Sequence, residues 1–261
     1  MKVMILCGGQ GTRLREHTEV RPKPMVEIGG QPILWHIMKL YAHHGFNEFV
    51  LCLGYKANLI KEYFLNYQAM RSDFTIDLGK NRSVQYHGSD HDESAWKVTL
   101  AFTGENAMTG ARVKRAARYL TPGETFAVTY GDGVSDVDLA AALRFHKSHR
   151  GLATVTGVRP PSRFGEIQTD GQRVVGFSEK PQTTQGMING GFFFFEPGFL
   201  DYLSDDDNCI LERTPLERCA NDGRFSVYEH AGFWHCMDTY RDWEALERQW
   251  HSGAAPWKVW K

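Results

Sequence analysis

Short apolar runs alternate with stretches of helical spacing over the first 160 residues. Residues 3–7 form a continuous apolar run, too short for a helix and suited to a strand buried on both faces. Ile33, Leu34, Ile37, Met38, Leu40 and Tyr41 recur at helical spacing behind Pro32, and Gly45 ends the pattern. Proline at the first turn and glycine past the last one mark a helix. The same reading predicts strands over 49–53, 125–130, 152–158, 187–195, 225–229 and 233–237. It predicts further helices over 59–67, 109–120, 139–149, 197–203, 211–221 and 240–250. Asp170-Gly171 between runs 166–169 and 173–177 signals a hairpin. Residues 72–104 read as short strands and loops, and the tail from 253 to 261 as irregular. Phe192, Phe193, Phe194 and Phe195 cannot all face one way in a strand, so core is expected for that run. Strands alternating with helices predict one α/β domain over 1–261, with a central, mostly parallel mixed sheet flanked by helices and a hairpin-rich C-terminal part.

Composition narrows the classes. Lysine and arginine total 30 against 31 acids, a formal net charge of -1. That excludes nucleic-acid binding through a strong global positive field, while leaving room for a local phosphate pocket. Five cysteines, an odd number without C-x-x-C spacing, support neither a disulfide framework nor a zinc knuckle. The N-terminal apolar stretch lacks the length and small-residue site of a signal peptide, and no run approaches the ~18 apolar residues of a membrane span. A reducing cytoplasm, with no membrane partner, is therefore expected. The 33 aromatics (16 Phe, 10 Tyr, 7 Trp) ask for a core and something more, a ligand pocket or a subunit contact. Trp257 and Trp260 in the tail are the expected interface residues.

The candidate chemistry begins at Leu6-Cys7-Gly8-Gly9-Gln10-Gly11-Thr12-Arg13. A strand emptying into glycines lets backbone N–H groups approach a phosphate closely, and Arg13 adds a planar fork for its oxygens. The dinucleotide pattern G-x-G-x-x-G fails at Leu14, and the Walker pattern fails at Arg13. A tight strand–helix turn with a surface arginine is the competing reading. Pro22 and Pro24 fix the backbone around Lys23, which suits a presented lysine and also an ordinary loop lysine. Asp132 stands between Gly131 and Gly133 at a strand end, and Asp238 falls between a short strand and a helix. Two carboxylates together with substrate phosphates make an Mg²⁺ site. A turn for Asp132 and a helix N-cap for Asp238 compete with it. Among eleven histidines, His235 near Asp238 stands out.

With Glu179-Lys180-Pro181 and Asn189-Gly190-Gly191 following in order, the chain resembles the sugar-1-phosphate nucleotidylyltransferases along essentially its whole length. It is most similar to the branch that uses CTP and glucose 1-phosphate. The segments that carry this include Trp35-His36-Ile37-Met38, Met108-Thr109-Gly110-Ala111-Arg112, Tyr130-Gly131-Asp132-Gly133, Met237-Asp238-Thr239 and Ala255-Pro256-Trp257-Lys258. The resemblance implies a Rossmann-like nucleotidyltransferase fold, its nucleotide half near 1–135 and its sugar-binding and assembly half near 136–261. It implies catalytic roles for Arg13 and Lys23. Leu6, Cys7, Gly8, Gly9, Gln10, Gly11, Thr12, Arg13, Lys23, Thr109, Gly110, Arg112 and Gly131 would bind the nucleotide. Gly165, Glu179, Lys180, Asn189 and Gly190 would bind the sugar phosphate, and Asp132 and Asp238 would hold Mg²⁺. Arg112 would read the O2 or N3 acceptor of cytosine, because arginine donates and cannot accept. The implied reaction joins CTP and glucose 1-phosphate into CDP-glucose and pyrophosphate, in a homohexamer. UTP or dTTP in place of CTP, and a non-catalytic nucleotide-sugar-binding module, are the alternatives. The missing third glycine disfavours an NAD-dependent oxidoreductase.

Overall fold

The computed structural model describes all residues except 12, 13, 15–17, 80–82, 88–91, 160–165 and 179–185, and the side chains of 92, 166–170 and 176–178. Seven strands make the central sheet. They are β1 (Lys2–Cys7), β2 (Glu48–Leu53), β3 (Lys97–Phe102), β4 (Phe126–Tyr130), β5 (Ala153–Val158), β6 (Ile188–Phe195) and β7 (Phe225–His230). Their order is β7-β5-β6-β4-β1-β2-β3. β6 runs antiparallel to both its neighbours, β4 and β5. The other pairings in this sheet are parallel. The helices are α1 (Ile33–His43), α2 (Ala57–Leu65), α3 (Thr109–Ala116), α4 (Leu139–Ser148), α5 (Thr214–Asn221) and α6 (Tyr240–His251). The expected hairpin is present as Glu166–Asp170 paired with Arg173–Ser178.

The strand period of two sorts the phenylalanine run as expected. Phe192 and Phe194 join the core layer that holds α1, whereas Phe193 and Phe195 join the layer that holds Val113 and Ala116 of α3 and Leu216 of α5. One local reading sharpens and two change. β3 lies within the stretch 72–104 that reads as short strands and loops. It is an edge strand with a largely half-exposed pattern, so it carries no continuous apolar run to announce it. Residues 197–203 fold as a 3-10 turn over Pro197–Tyr202. The helix expected from 211 starts at Thr214, with Pro215 in its first turn, while Leu211 N–H donates to Thr109 Oγ1 and the Asp207 and Cys209 carbonyls accept from the N–H groups of Met108, Gly110 and Ala111 at the start of α3.

The tail corrects the expectation of an interface. Trp257 is 1% exposed and Trp260 9%, both within the core of this same chain. They close over His36, whose ring lies 4.6 Å from Trp250 and 6.2 Å from each of Trp257 and Trp260. His36 Nε2 lies 2.8 Å from the Ile28 carbonyl, which can only accept. Its Nδ1 faces the Trp257 indole N–H, which can only donate, at 3.3 Å. The two partners fix one neutral tautomer, and burial lowers the imidazole pKa from 6.5 to about 4. A histidine buried neutral binds fewer protons folded than unfolded between those two values, so folding stability falls as pH drops from 6.5 toward 4. We expect the urea midpoint to decline over that window, and the decline to be shallower in His36→Gln. Equal slopes in the two proteins would show that His36 does not carry the effect.

Candidate active site

The loops that leave the C-terminal ends of β1, β2, β3 and β4 meet on one edge of the sheet, where open α/β folds take their ligands. At that edge the Lys23 ammonium lies 2.6 Å from Asp132 Oδ2 and 2.6 Å from Asp238 Oδ1. These partners stand 109 and 215 positions from Lys23 along the chain. Three local devices assemble them. Lys23–Met25 forms a 3-10 turn started by Pro22. Pro24 packs so tightly on Gly131 that a Cβ there would sit 2.8 Å from the proline ring and 2.9 Å from the Leu6 carbonyl. Gly133–Ser135 pairs antiparallel with Trp234–Cys236, and Met237 N–H donates to the Asp132 carbonyl at 2.8 Å. That short ladder delivers Asp238 beside Asp132.

The N-cap reading of Asp238 does not hold. Thr239 caps α6 in a reciprocal box with Asp242, which leaves the Asp238 carboxylate to face Lys23. His235 turns toward Asp242, 3.3 Å away. Burial works against the charge on Lys23, yet Asp132, Cys236 and the hydrogen bonds to both aspartates raise its pKa above the usual lysine value. Cys236 is the residue that the sequence reading passed over. One ligand atom from each of Asp132, Cys236 and Asp238 lies within 4.8 Å of the others. Burial, and then the charge of Asp132, raise the Cys236 thiol pKa, and the carboxylate oxygens are the hard donors of the three. Two carboxylates that already converge on one positive charge in a mostly buried site fit a divalent cation such as Mg²⁺.

Arg112 organises the neighbouring loops. It is 4% exposed. Its Nη1 donates to the Leu53 carbonyl, Thr103 Oγ1 and the Gly104 carbonyl at 3.1, 3.0 and 2.7 Å. Its Nη2 donates to the Gly8 and Glu105 carbonyls at 3.0 and 3.2 Å. One guanidinium thus pins the loops that follow β1, β2 and β3. The close approach needs glycine, because a Cβ at Gly8 or Gly54 would fall 2.1 or 2.5 Å from Arg112 Nη1. These bonds compete with direct readout of cytosine, and loop-setting is the role this geometry supports. Gly11 has φ +63° and Gly9 leaves open space where a side chain would stand. Asn189 donates from Nδ2 to the Tyr130 hydroxyl at 3.1 Å, and the Gly190 carbonyl accepts from Trp234 Nε1 at 2.7 Å. Leu6 and Cys7 are buried strand residues below the glycines, and Gln10 is exposed. The edge therefore brings together Gly8, Lys23, Arg112, Asp132 and Asp238, with Asn189 reached through Tyr130. Thr12, Arg13, Gly165, Glu179 and Lys180 lie outside the described residues.

A lysine between two acids, beside glycines at the ends of parallel strands, is suited to holding a polyphosphate and cancelling its charge. The chain is 49% identical over 261 residues to a glucose-1-phosphate cytidylyltransferase from Salmonella typhi, with 100% of both chains covered. It is 32% identical over 239 residues to a mannose-1-phosphate guanylyltransferase catalytic subunit beta from Dictyostelium discoideum, covering 90% of this chain and 60% of that one. Among solved structures, HddC from Yersinia pseudotuberculosis superposes with a TM-score of 0.68 at 24% identity, covering 95% of this chain and 99% of that chain. A UDP-glucose pyrophosphorylase bound to UDP-glucose gives 0.66 at 16% identity, with 97% and 98% covered. These two likenesses bear on the fold alone. The nucleotidyl transferase family model matches residues 2–220, and the chain belongs to that family of enzymes.

Proposed function

We propose that this enzyme transfers CMP from CTP to glucose 1-phosphate, forming CDP-glucose and pyrophosphate. The observation that carries nucleotidyl transfer is the Lys23 ammonium set 2.6 Å from each of two carboxylates at the loop edge of the sheet. The choice of CTP and glucose 1-phosphate is supported by the Salmonella typhi relative, identical at 49% of positions over its full length.

In the proposed reaction a phosphate oxygen of the sugar phosphate attacks the α-phosphorus. A new P–O bond forms, the bond to the bridging oxygen of the β-phosphate breaks, and pyrophosphate leaves with the electron pair. The attacking oxygen is already an anion at neutral pH, so no general base is required. The difficulty is bringing two anions together, and alignment with charge cancellation answers it. Lys23 faces the α-phosphoryl group, Arg13 and Lys180 neutralise the flanking phosphates, and Asp132 and Asp238 hold the cation. The bound Mg²⁺ supplies charge neutralisation on the triphosphate. Leu6, Cys7, Gly8, Gly9, Thr109, Gly110 and Gly131 surround the nucleoside, within loops that Arg112 holds in place. Gly11, Thr12 and Arg13 take the triphosphate, and Glu179, Asn189 and Gly190 the sugar.

Self-association is supported by a small hairpin, Asp73–Ile76 paired with Val84–His87. It exposes Phe74, Ile76, Val84 and Tyr86, and two strands bury too little to account for so much apolar surface. Light scattering is expected to give a mass above one chain, with a homohexamer as the proposed state, and Phe74→Asp with Tyr86→Asp is expected to lower it. A monomeric wild type would end that reading.

A panel of CTP, UTP, dTTP and GTP with glucose 1-phosphate, read by pyrophosphate release, is expected to show turnover with CTP well above the rest. Preference for another nucleotide would move the enzyme to a different branch. Lys23→Ala and Asp132→Ala are each expected to lower kcat by about 10²-fold or more, the size of one lost electrostatic contact in the transition state. Asp132→Asn is also expected to weaken Mn²⁺ binding measured by electron paramagnetic resonance. Near-normal turnover in either alanine variant would remove that residue from the mechanism.

A further inference from the structure

Nothing in the sequence singles out Glu212, which lies just ahead of α5 and is half-buried. In the structure both of its carboxylate oxygens are committed. Oε2 accepts from Thr109 Oγ1 at 2.6 Å, and Oε1 accepts from the Tyr130 hydroxyl at 2.5 Å. Each hydroxyl makes a second bond. Thr109 Oγ1 also accepts from Leu211 N–H at 2.9 Å, and the Tyr130 hydroxyl also accepts from Asn189 Nδ2 at 3.1 Å.

The two hydroxyls come from different elements of the site. Thr109 opens α3, the helix that carries Arg112 and so sets the loops after β1, β2 and β3. Tyr130 ends β4 immediately before Gly131 and Asp132. Its ring lies so close to Gly191 of β6 that a Cβ there would sit 2.5 Å from the ring, at a φ of +82° that only glycine adopts readily. Tyr130 therefore packs directly against the backbone of Gly191, and Glu212 holds its hydroxyl. Burial, with the Glu212 charge second, raises the Tyr130 pKa, so the phenol stays a donor. Hydrogen bonds to a carboxylate are roughly twice as strong as neutral ones.

We infer that Glu212 is a positioning residue that ties the nucleotide side of the site, through Thr109, to the sugar side, through Tyr130 and Asn189. This rests on the function proposed above. The linkage makes a specific pattern. Thr109→Val breaks one arm and is expected to raise KM for the nucleotide alone. Tyr130→Phe breaks the other and is expected to raise KM for the sugar phosphate alone. Glu212→Ala breaks both and is expected to raise both KM values by about tenfold, the size of one charge-assisted hydrogen bond. Glu212→Gln keeps an oxygen for one hydroxyl, and its amide N–H meets the other only if that hydroxyl turns its own proton away, so it is expected to restore part of the loss.

The test is steady-state kinetics of the four full-length variants with CTP and glucose 1-phosphate, at a temperature well below each variant's melting point. Paired KM increases in Glu212→Ala, divided between the two hydroxyl variants and partly rescued by glutamine, support the coupling. A Glu212→Ala enzyme that melts earlier yet keeps both KM values overturns it. So do two hydroxyl variants that disturb the same substrate. If the wild type turns over a different nucleotide, the function proposed above is corrected and the same variants are read with that nucleotide. A wild type without turnover overturns both.

Discussion

Two carboxylates that approach one another in a mostly buried place repel, and the arrangement is stable only with a cation between them. In this protein the cation is the Lys23 ammonium, equidistant from Asp132 and Asp238. Much of the local architecture serves that contact. The 3-10 turn presents the lysine, Gly131 admits Pro24, the short ladder through Cys236 brings Asp238 across, and the Thr239 capping box takes over the task that Asp238 would otherwise perform. The same concentration of charge is what a metal and a polyphosphate require, so the folding constraint and the proposed chemistry have one origin.

A second positive charge does a different kind of work. Arg112 is among the most buried charged residues described, and its donors go to backbone carbonyls and one threonine hydroxyl instead of an acid. Burial lowers its pKa, although arginine remains charged at any physiological pH. Loops at strand ends would otherwise carry unsatisfied carbonyls inside the protein, and one planar fork satisfies several at once. Glu212 complements it from the opposite sign. It ties down the start of the helix on which Arg112 rides, so the pair holds α3 at both its N-terminus and its inward face.

The elements along the chain were legible to the extent that periodicity expresses them. Doubly buried strands such as β1, β2 and β4, and helices flanked by proline and glycine such as α1, stood out. β3 did not, because an edge strand with partial exposure lacks the continuous apolar run by which the others were recognised. The pattern places the start of α5 too early because Leu211 is buried in the core ahead of the helix, and apolar spacing alone cannot tell a helical turn from a buried loop. The tail tryptophans read as a subunit contact because nothing in a linear pattern shows that His36, more than two hundred positions away, is the group they close over.

The candidate site divides along the same line. Glycine, lysine between prolines, and aspartate at strand ends are local signals of backbone conformation and charge, so Gly8, Lys23, Asp132 and Asp238 are legible in the sequence. With the motifs around them they carry the resemblance to the family to which the chain belongs. What only the tertiary structure decided is which groups meet. That Asp238 faces Lys23 and does not cap α6, that Cys236 joins the acids, that Arg112 binds carbonyls, and that Glu212 reaches both Thr109 and Tyr130 depend on contacts between residues far apart in sequence. A hydrogen bond is made within about 3 Å, and over such distances the chain's own pattern carries no information until the sheet has brought its loops to one edge.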